Sequence, residues 1–287
     1  DLGIRRNKAC PRVFTSRKSV HSQTMTAAFF DLDKTIIATS SAFAFGKEFM
    51  HNGMITRAEA LELYWAKVSY MLVGQSSEKM DSTRDALAQL VEGWKVEDVQ
   101  RITQETMRTV VTPAIYAEAR ELINQHKAAG HDVIIISASA SILVEPIARE
   151  LGIDTVVATE MGVEDGRLTG EITNYLKGDA KADAVRRFAE EHGYNLAESY
   201  AYSDSATDIP MLEMVGNPVA VNPERALKKH AAANGWEIRI FKNPEPLIQM
   251  PNAREVTIGA SVVAGIAAVA LAATLLTRQL LKDKRSA

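Results

Sequence analysis

Two aspartates one residue apart, Asp31 and Asp33, follow the apolar run Ala27-Ala28-Phe29-Phe30 and precede Lys34 and Thr35. On a strand, alternation would put both carboxylates on the same side of the chain. Two like charges held together are costly, so the pair implies a cation, a reacting phosphate, or both. Three more groups follow predicted strands of their own. Ser137 closes one within Ser137-Ala138-Ser139, and Lys181 lies in Gly178-Asp179-Ala180-Lys181. Asp204 and Asp208 lie in Tyr202-Ser203-Asp204-Ser205-Ala206-Thr207-Asp208. A carboxylate nucleophile, a second carboxyl group, a hydroxyl donor and an ammonium are what phosphoryl transfer uses. Taken singly, each residue has a plainer reading as a helix cap or turn former. The four pieces together, each in its strand context, are what point to chemistry.

The elements that must position them alternate between short apolar runs and helical stretches, the pattern of an α/β fold with a Rossmann-like parallel sheet covered on both faces. Strands are expected over residues 28–32, 133–137, 155–158, 200–203, 218–221 and 238–241. The run Val133-Ile134-Ile135-Ile136 is β-branched throughout, as a strand buried on both faces should be. In such a sheet, residues at the carboxyl ends of adjacent strands converge on one crevice. The stretch from 41 to 130 has no good strand, and apolar residues recur at helical spacing over 58–70 and 81–91. It is longer than one crossover helix needs, so residues 41–111 are expected to form an inserted all-helical cap. A helix over 113–129 should lead into the second strand, with Pro113 in its first turn and Gly130 past its end.

In their order and strand context, these motifs resemble the haloacid dehalogenase (HAD) superfamily of hydrolases, in the phosphoserine phosphatase-like branch (subfamily IB) with a helical cap. The likeness covers about residues 26–247, and implies a core formed by 25–40 and 112–250. It also implies roles. Asp31 would attack phosphorus and form an aspartyl-phosphate; Asp33 would protonate the leaving alkoxide, then take a proton from the hydrolytic water. Mg²⁺ would be held by the carboxylates of Asp31 and Asp204 and by the main-chain carbonyl of Asp33. Ser137 and Lys181 would bind the substrate phosphate, with Lys181 favoured over Lys177 by the family's spacing. Asp208 would support the metal site or the lysine. Thr35 is expected to bond local backbone rather than substrate.

One departure bears on the substrate. The relatives similar to phosphoserine phosphatase carry a glutamate about nine residues after the nucleophile to read the substrate ammonium, where this chain has Ser40. Glu48 is a poor replacement, Phe43 and Phe45 are expected in the core, and Arg57 and Arg84 read as helix-surface charge. The expected activity is a Mg²⁺-dependent phosphomonoester hydrolase acting on a phosphorylated small molecule or a lipid phosphate. Phosphoserine phosphatase proper, a phosphotransferase, and a membrane-tethered non-catalytic binding protein are the alternatives.

A formal charge of −3 over 287 residues gives no overall reason to expect a nucleic-acid partner. The lone cysteine, Cys10, excludes an intrachain disulfide framework, and the six histidines are scattered without zinc-site spacing. Residues 1–24 are basic, with Arg5, Arg6, Lys8, Arg12, Arg17 and Lys18, and lack the apolar stretch of a secretory signal. They are expected to form a disordered tail, or to precede a translation start at Met25. Residues 256–277 contain no charged residue. At ~1.5 Å per residue, a helix there would be roughly 33 Å long, enough to cross a bilayer core. The expectation is a C-terminal transmembrane anchor followed by a basic tail, 278–287, with the catalytic domain on the cytoplasmic side. Ala260, Ala264, Ala268 and Ala272 would give that helix a small-residue ridge on which a homodimer could pack.

Overall fold

Alternation along the central strands sets the architecture. In β1 (Ala27–Phe30), Ala28 and Phe30 face one core, whereas Ala27 and Phe29 face another. β2 (Asp132–Ala140) divides Val133 and Ile135 from Ile134 and Ile136 in the same way. Both strands are therefore covered on both faces, which is why they read as continuous apolar runs. Phe30 stacks on Tyr202 with ring centroids 4.3 Å apart, a pairing that contributes about 0.5–1.5 kcal/mol beyond burial.

A computed structural model describes residues 25–56, 58–59 and 88–244. Five more strands complete the sheet: β3 (Thr155–Glu164), β4 (Arg167–Asn174), β5 (Tyr200–Ser203), β6 (Asn217–Val221) and β7 (Glu237–Arg239). The strand order is β4-β3-β2-β1-β5-β6-β7, parallel throughout except for the β3–β4 hairpin. The chain leaves β1 for β2 on one side and later places β5 on the other, so the order reverses at β1. That reversal opens a crevice at the carboxyl end of β1. On one face pack α1 (Ser41–His51), α2 (Val96–Thr106), α3 (Ala117–Ala128) and α4 (Ser141–Glu150). On the other pack α5 (Asp179–His192), the single turn α6 (Ile209–Leu212) and α7 (Arg225–Asn234).

Tyr200–Ser203 is a strand over the predicted residues, but other boundaries moved. β1 ends at Phe30, so Asp31 and Asp33 leave the sheet and strand alternation does not set their direction. A tight turn does. Lys34 adopts a left-handed φ of 61°, and the N–H groups of Thr35, Ile36 and Ile37 all donate to Leu32 O. The helix expected to begin with Pro113 starts at Ala117, because Pro113 sits in a separate 3₁₀ turn, Thr112–Ala114. The last strand is Glu237–Arg239, earlier than 238–241.

β4 was not anticipated. Its turn is Asp165-Gly166, both with positive φ, the geometry of a two-residue hairpin. The hairpin also holds the chain that returns from the long crossover. Gly93 N donates to Leu168 O (2.8 Å), Leu168 N to Trp94 O (2.9 Å), Val96 N to Gly166 O (3.0 Å) and Arg167 Nη1 to Gly93 O (2.6 Å).

Within the crossover, Thr56 and Glu59 form a reciprocal capping box where the helix expected over 58–70 would begin. Most of that helix, part of 81–91, Arg57 and Arg84 lie outside the described residues. So do the tail 1–24, the stretch 256–277 and the tail 278–287. Among the described residues no helix is long and apolar enough to cross a membrane.

Candidate active site

Each candidate residue sits at or just beyond the carboxyl end of a strand or in the first turn of a helix facing it. Asp31 follows β1 and stays tied to the sheet through its N–H, which donates to Tyr202 O at 2.9 Å. Its side chain is buried. Lys181, in the first turn of α5, is 2% exposed and reaches Asp31 Oδ1 at 2.6 Å and Asp208 Oδ2 at 2.7 Å. Of the two candidate lysines, Lys181 therefore brings its ammonium to the carboxylates. Asp208 is buried as well, and Ser203 Oγ donates to the same Oδ2 at 2.7 Å. Thr35 Oγ1 donates to Asp31 Oδ2 at 3.3 Å. The expectation that Thr35 would serve local backbone is thus corrected, since the tight turn carries its hydroxyl back to the nucleophile candidate.

Asp33 has different partners. Oδ1 accepts from the Ser41 N–H at 2.9 Å, at the start of α1, and Oδ2 accepts from the Ser139 hydroxyl at 2.9 Å. Ser41 Oγ donates to Ser139 Oγ at 2.8 Å. Ser40, in place of the relatives' glutamate, caps α1 by accepting from Phe43 N. Ser137 is buried and its Oγ accepts from the Ser139 N–H at 3.1 Å, so its own proton is free for a donor role. Phe45 is fully buried as expected, whereas Phe43 is half exposed.

Burial dominates the electrostatics. It pushes the Asp31 carboxyl up to about 7, against the opposing pull of Lys181. The same cause raises Asp204 to about 6, with Lys34 pulling the other way from 3.9 Å. Asp33 is also raised by burial, offset in part by the Ser41 N–H and the Ser139 hydroxyl. Lys181 moves up, held charged by Asp31 and Asp208 despite its desolvation.

The donor set fits Mg²⁺. Asp31 and Asp204 are both buried carboxylates, the hard oxygen donors that Mg²⁺ takes. Among the described residues no three Asp, Glu, His or Cys side chains converge as a cage. Mg²⁺ suits such a sparse set, since it keeps waters and substrate oxygens alongside one or two carboxylates. The carboxylate of Asp33 is occupied by serines, leaving its main-chain carbonyl as the group that could serve.

Sequence reasoning missed Ser41, Ser139 and Ser203 as partners of these carboxylates. Each adjoins a motif, but hydroxyls near a strand end are common, and the pairings span up to 106 residues.

The haloacid dehalogenase-like hydrolase family model matches residues 28–213. The chain belongs to that family. A probable phosphatase of Mycobacterium tuberculosis is 45% identical over 257 residues, covering 88% of this chain and 90% of the relative. An inhibition of morphological differentiation protein of Streptomyces azureus is 48% identical over 80% of this chain and 83% of its own. A phosphoserine phosphatase of M. tuberculosis is 36% identical over 88% and 81%. Among solved structures, a Bordetella pertussis protein of unknown function superposes with a TM-score of 0.68 at 30% identity, over 75% of this hydrolase and 98% of that chain.

Proposed function

We infer that this chain, a phosphatase by family and by its relatives, is a Mg²⁺-dependent phosphomonoester hydrolase acting through an aspartyl-phosphate on Asp31. The observation that carries the reading is the division between two neighbouring carboxylates. Asp31 is paired with the Lys181 ammonium, whereas Asp33 is held by an amide and a hydroxyl. The ammonium aims one carboxyl group, as a nucleophile needs, whereas the other meets only neutral donors and has no counter-ion to hold it against giving and taking a proton, which separates nucleophile from acid–base.

In the first half-reaction an Asp31 oxygen forms a bond to phosphorus while the ester P–O bond breaks. Asp33 gives its proton to the departing oxygen. In the second, a water that gives its proton to Asp33 forms a bond to phosphorus while the Asp31 O–P bond breaks, which releases inorganic phosphate and restores the Asp31 carboxylate. Lys181 aims Asp31 and pulls its carboxyl towards the ionised form against the effect of burial, and Asp208 and Ser203 hold Lys181. The Ser137 hydroxyl would donate to a phosphoryl oxygen. Asp31, Asp204 and the Asp33 carbonyl would hold Mg²⁺, which supplies charge stabilisation when bound.

The natural substrate is a small or membrane-associated phosphate ester. Use of Ser40 as the cap of α1 weighs against phosphoserine itself, even though a phosphoserine phosphatase is among the relatives. Residues 41–111 would supply the helical cap. The charge-free stretch 256–277 supports a membrane anchor, and we place the catalytic part on the cytoplasmic side. Fractionation of cells expressing the chain with and without residues 256–287 tests the anchor.

The test of the activity is phosphate release from a panel of phosphomonoesters, including phosphoserine and short-chain lipid phosphates, with and without Mg²⁺. Mg²⁺-dependent release lost in Asp31→Asn is the expected result. Release that survives Asp31→Asn would overturn the assignment.

A further inference from the structure

Asp33 is gripped by two serines of different reach. Ser41, fully buried at the start of α1, contributes its N–H to Oδ1 and its hydroxyl to Ser139. Ser139, inside the register shift between the Ser137–Ala158 and Ala140–Thr159 pairs of β2 and β3, contributes its hydroxyl to Oδ2. An amide N–H can only donate, so it serves a carboxylate oxygen in either protonation state. A hydroxyl can donate to the carboxylate or turn and accept from the protonated acid.

Resting on the phosphatase reading, we propose that Ser139, oriented by Ser41, is the positioning residue that holds Asp33 in line through both halves of its acid–base cycle. As the ester P–O bond breaks and the Asp33 proton passes to the leaving oxygen, negative charge appears on Oδ2. The Ser139 hydroxyl donates to that charge, so its hydrogen bond strengthens as the proton departs. When water later returns a proton to Asp33, the hydroxyl reverses and the Ser41–Ser139 pair keeps the carboxyl group in place. Ser41 acts on Oδ2 only through Ser139. Neither serine touches the reacting phosphorus in this account.

The readout is the dependence of rate on the leaving group, which loss of general-acid assistance changes and loss of structure does not. Wild type, Ser139→Ala, Ser139→Thr, Ser41→Ala and the double alanine variant are assayed for kcat/KM in Mg²⁺. The substrates are an alkyl phosphate, whose alkoxide needs the proton, and p-nitrophenyl phosphate, whose leaving group departs without it. Ser139→Ala should lose about tenfold more on the alkyl than on the aryl ester, a fraction of the ~10²–10⁴ that general-acid catalysis supplies. Ser139→Thr, which keeps the hydroxyl, should recover most of that difference. Ser41→Ala should show a smaller bias that vanishes in the Ser139→Ala background. Should Ser139→Ala fail to fold, Ser41→Ala carries the same comparison, because its N–H remains on Oδ1. Equal losses on the two esters would overturn this inference while leaving the phosphatase reading intact. A wild-type chain inactive on every ester would overturn both.

Discussion

Lys181 and Asp31 stand 150 positions apart in the sequence, and their side chains meet at 2.6 Å beneath the surface. The ion pair is buried, with Asp208 as its third member, and Lys181 is the cation that offsets both carboxylates. Lys181→Met would leave Asp31 and Asp208 without a cation. We expect a loss of about 3–5 kcal/mol in unfolding free energy together with loss of phosphate release. Denaturant titration beside the activity assay checks both. A stable but inactive variant would mean the lysine serves only the substrate.

Asp31→Asn should separate activity from stability. Turnover should fall by roughly a thousandfold or more, as for loss of a nucleophile. The metal-free variant should nevertheless melt at or above the wild-type temperature at pH 8, because burial makes the native charge unfavourable. Melting below wild type would contradict that balance.

The pH dependence of stability has two opposing parts. Asp31 and Asp204 have native pKa values pushed up to about 7 and about 6 from 3.8. The native chain therefore holds their protons more tightly, and the associated stability is complete below about pH 4 and lost as pH rises through 6 to 7. His126, buried against Tyr202, is pushed down to about 4 from 6.5. Its contribution runs the other way, present above pH 6.5 and lost as pH falls through 4. Above pH 6.5 the carboxylates act alone, so the chelated protein should lose stability towards pH 8. Added Mg²⁺ should cancel that loss. Melting curves with chelator or Mg²⁺ test the carboxylate part, and His126→Phe should flatten the acidic limb.

Gly216 joins α6 to β6, and a Cβ there would collide with the Ala197 carbonyl oxygen, a backbone atom that cannot swing aside. Gly216→Ala should cost about 1–3 kcal/mol, the range for overpacking. Calorimetry would measure it, and a shift near zero would mean the 196–199 turn yields easily.

The parts of the fold that were readable in sequence share a physical cause. β1, β2 and β5 are buried on both faces, so their composition alone marks them, and Asp31 and Asp204 directly follow β1 and β5. β4 escaped because Arg167, Thr169, Glu171 and Thr173 dilute its apolar content on a sheet edge. Only Asp165-Gly166 announced it. In the candidate site, the meeting of Asp31, Lys181 and Asp208 was foreshadowed by the order and strand context of their motifs. Ser41 and Ser139 were not, since a hydrogen bond between residues 98 apart leaves no local pattern. The roles of Thr35 and Ser40 depended on a turn and a cap whose dihedral angles no composition specifies.

The bonds between residues 93–96 and the β3–β4 hairpin act as a mechanical linkage. The arm that returns from the helical crossover cannot swing alone; it must shed those four bonds or carry the sheet edge with it. The hairpin therefore ties the returning arm to the sheet edge. A displacement of that arm would be transmitted to the margin of the sheet, where a label on Val163, more than half exposed, would report it.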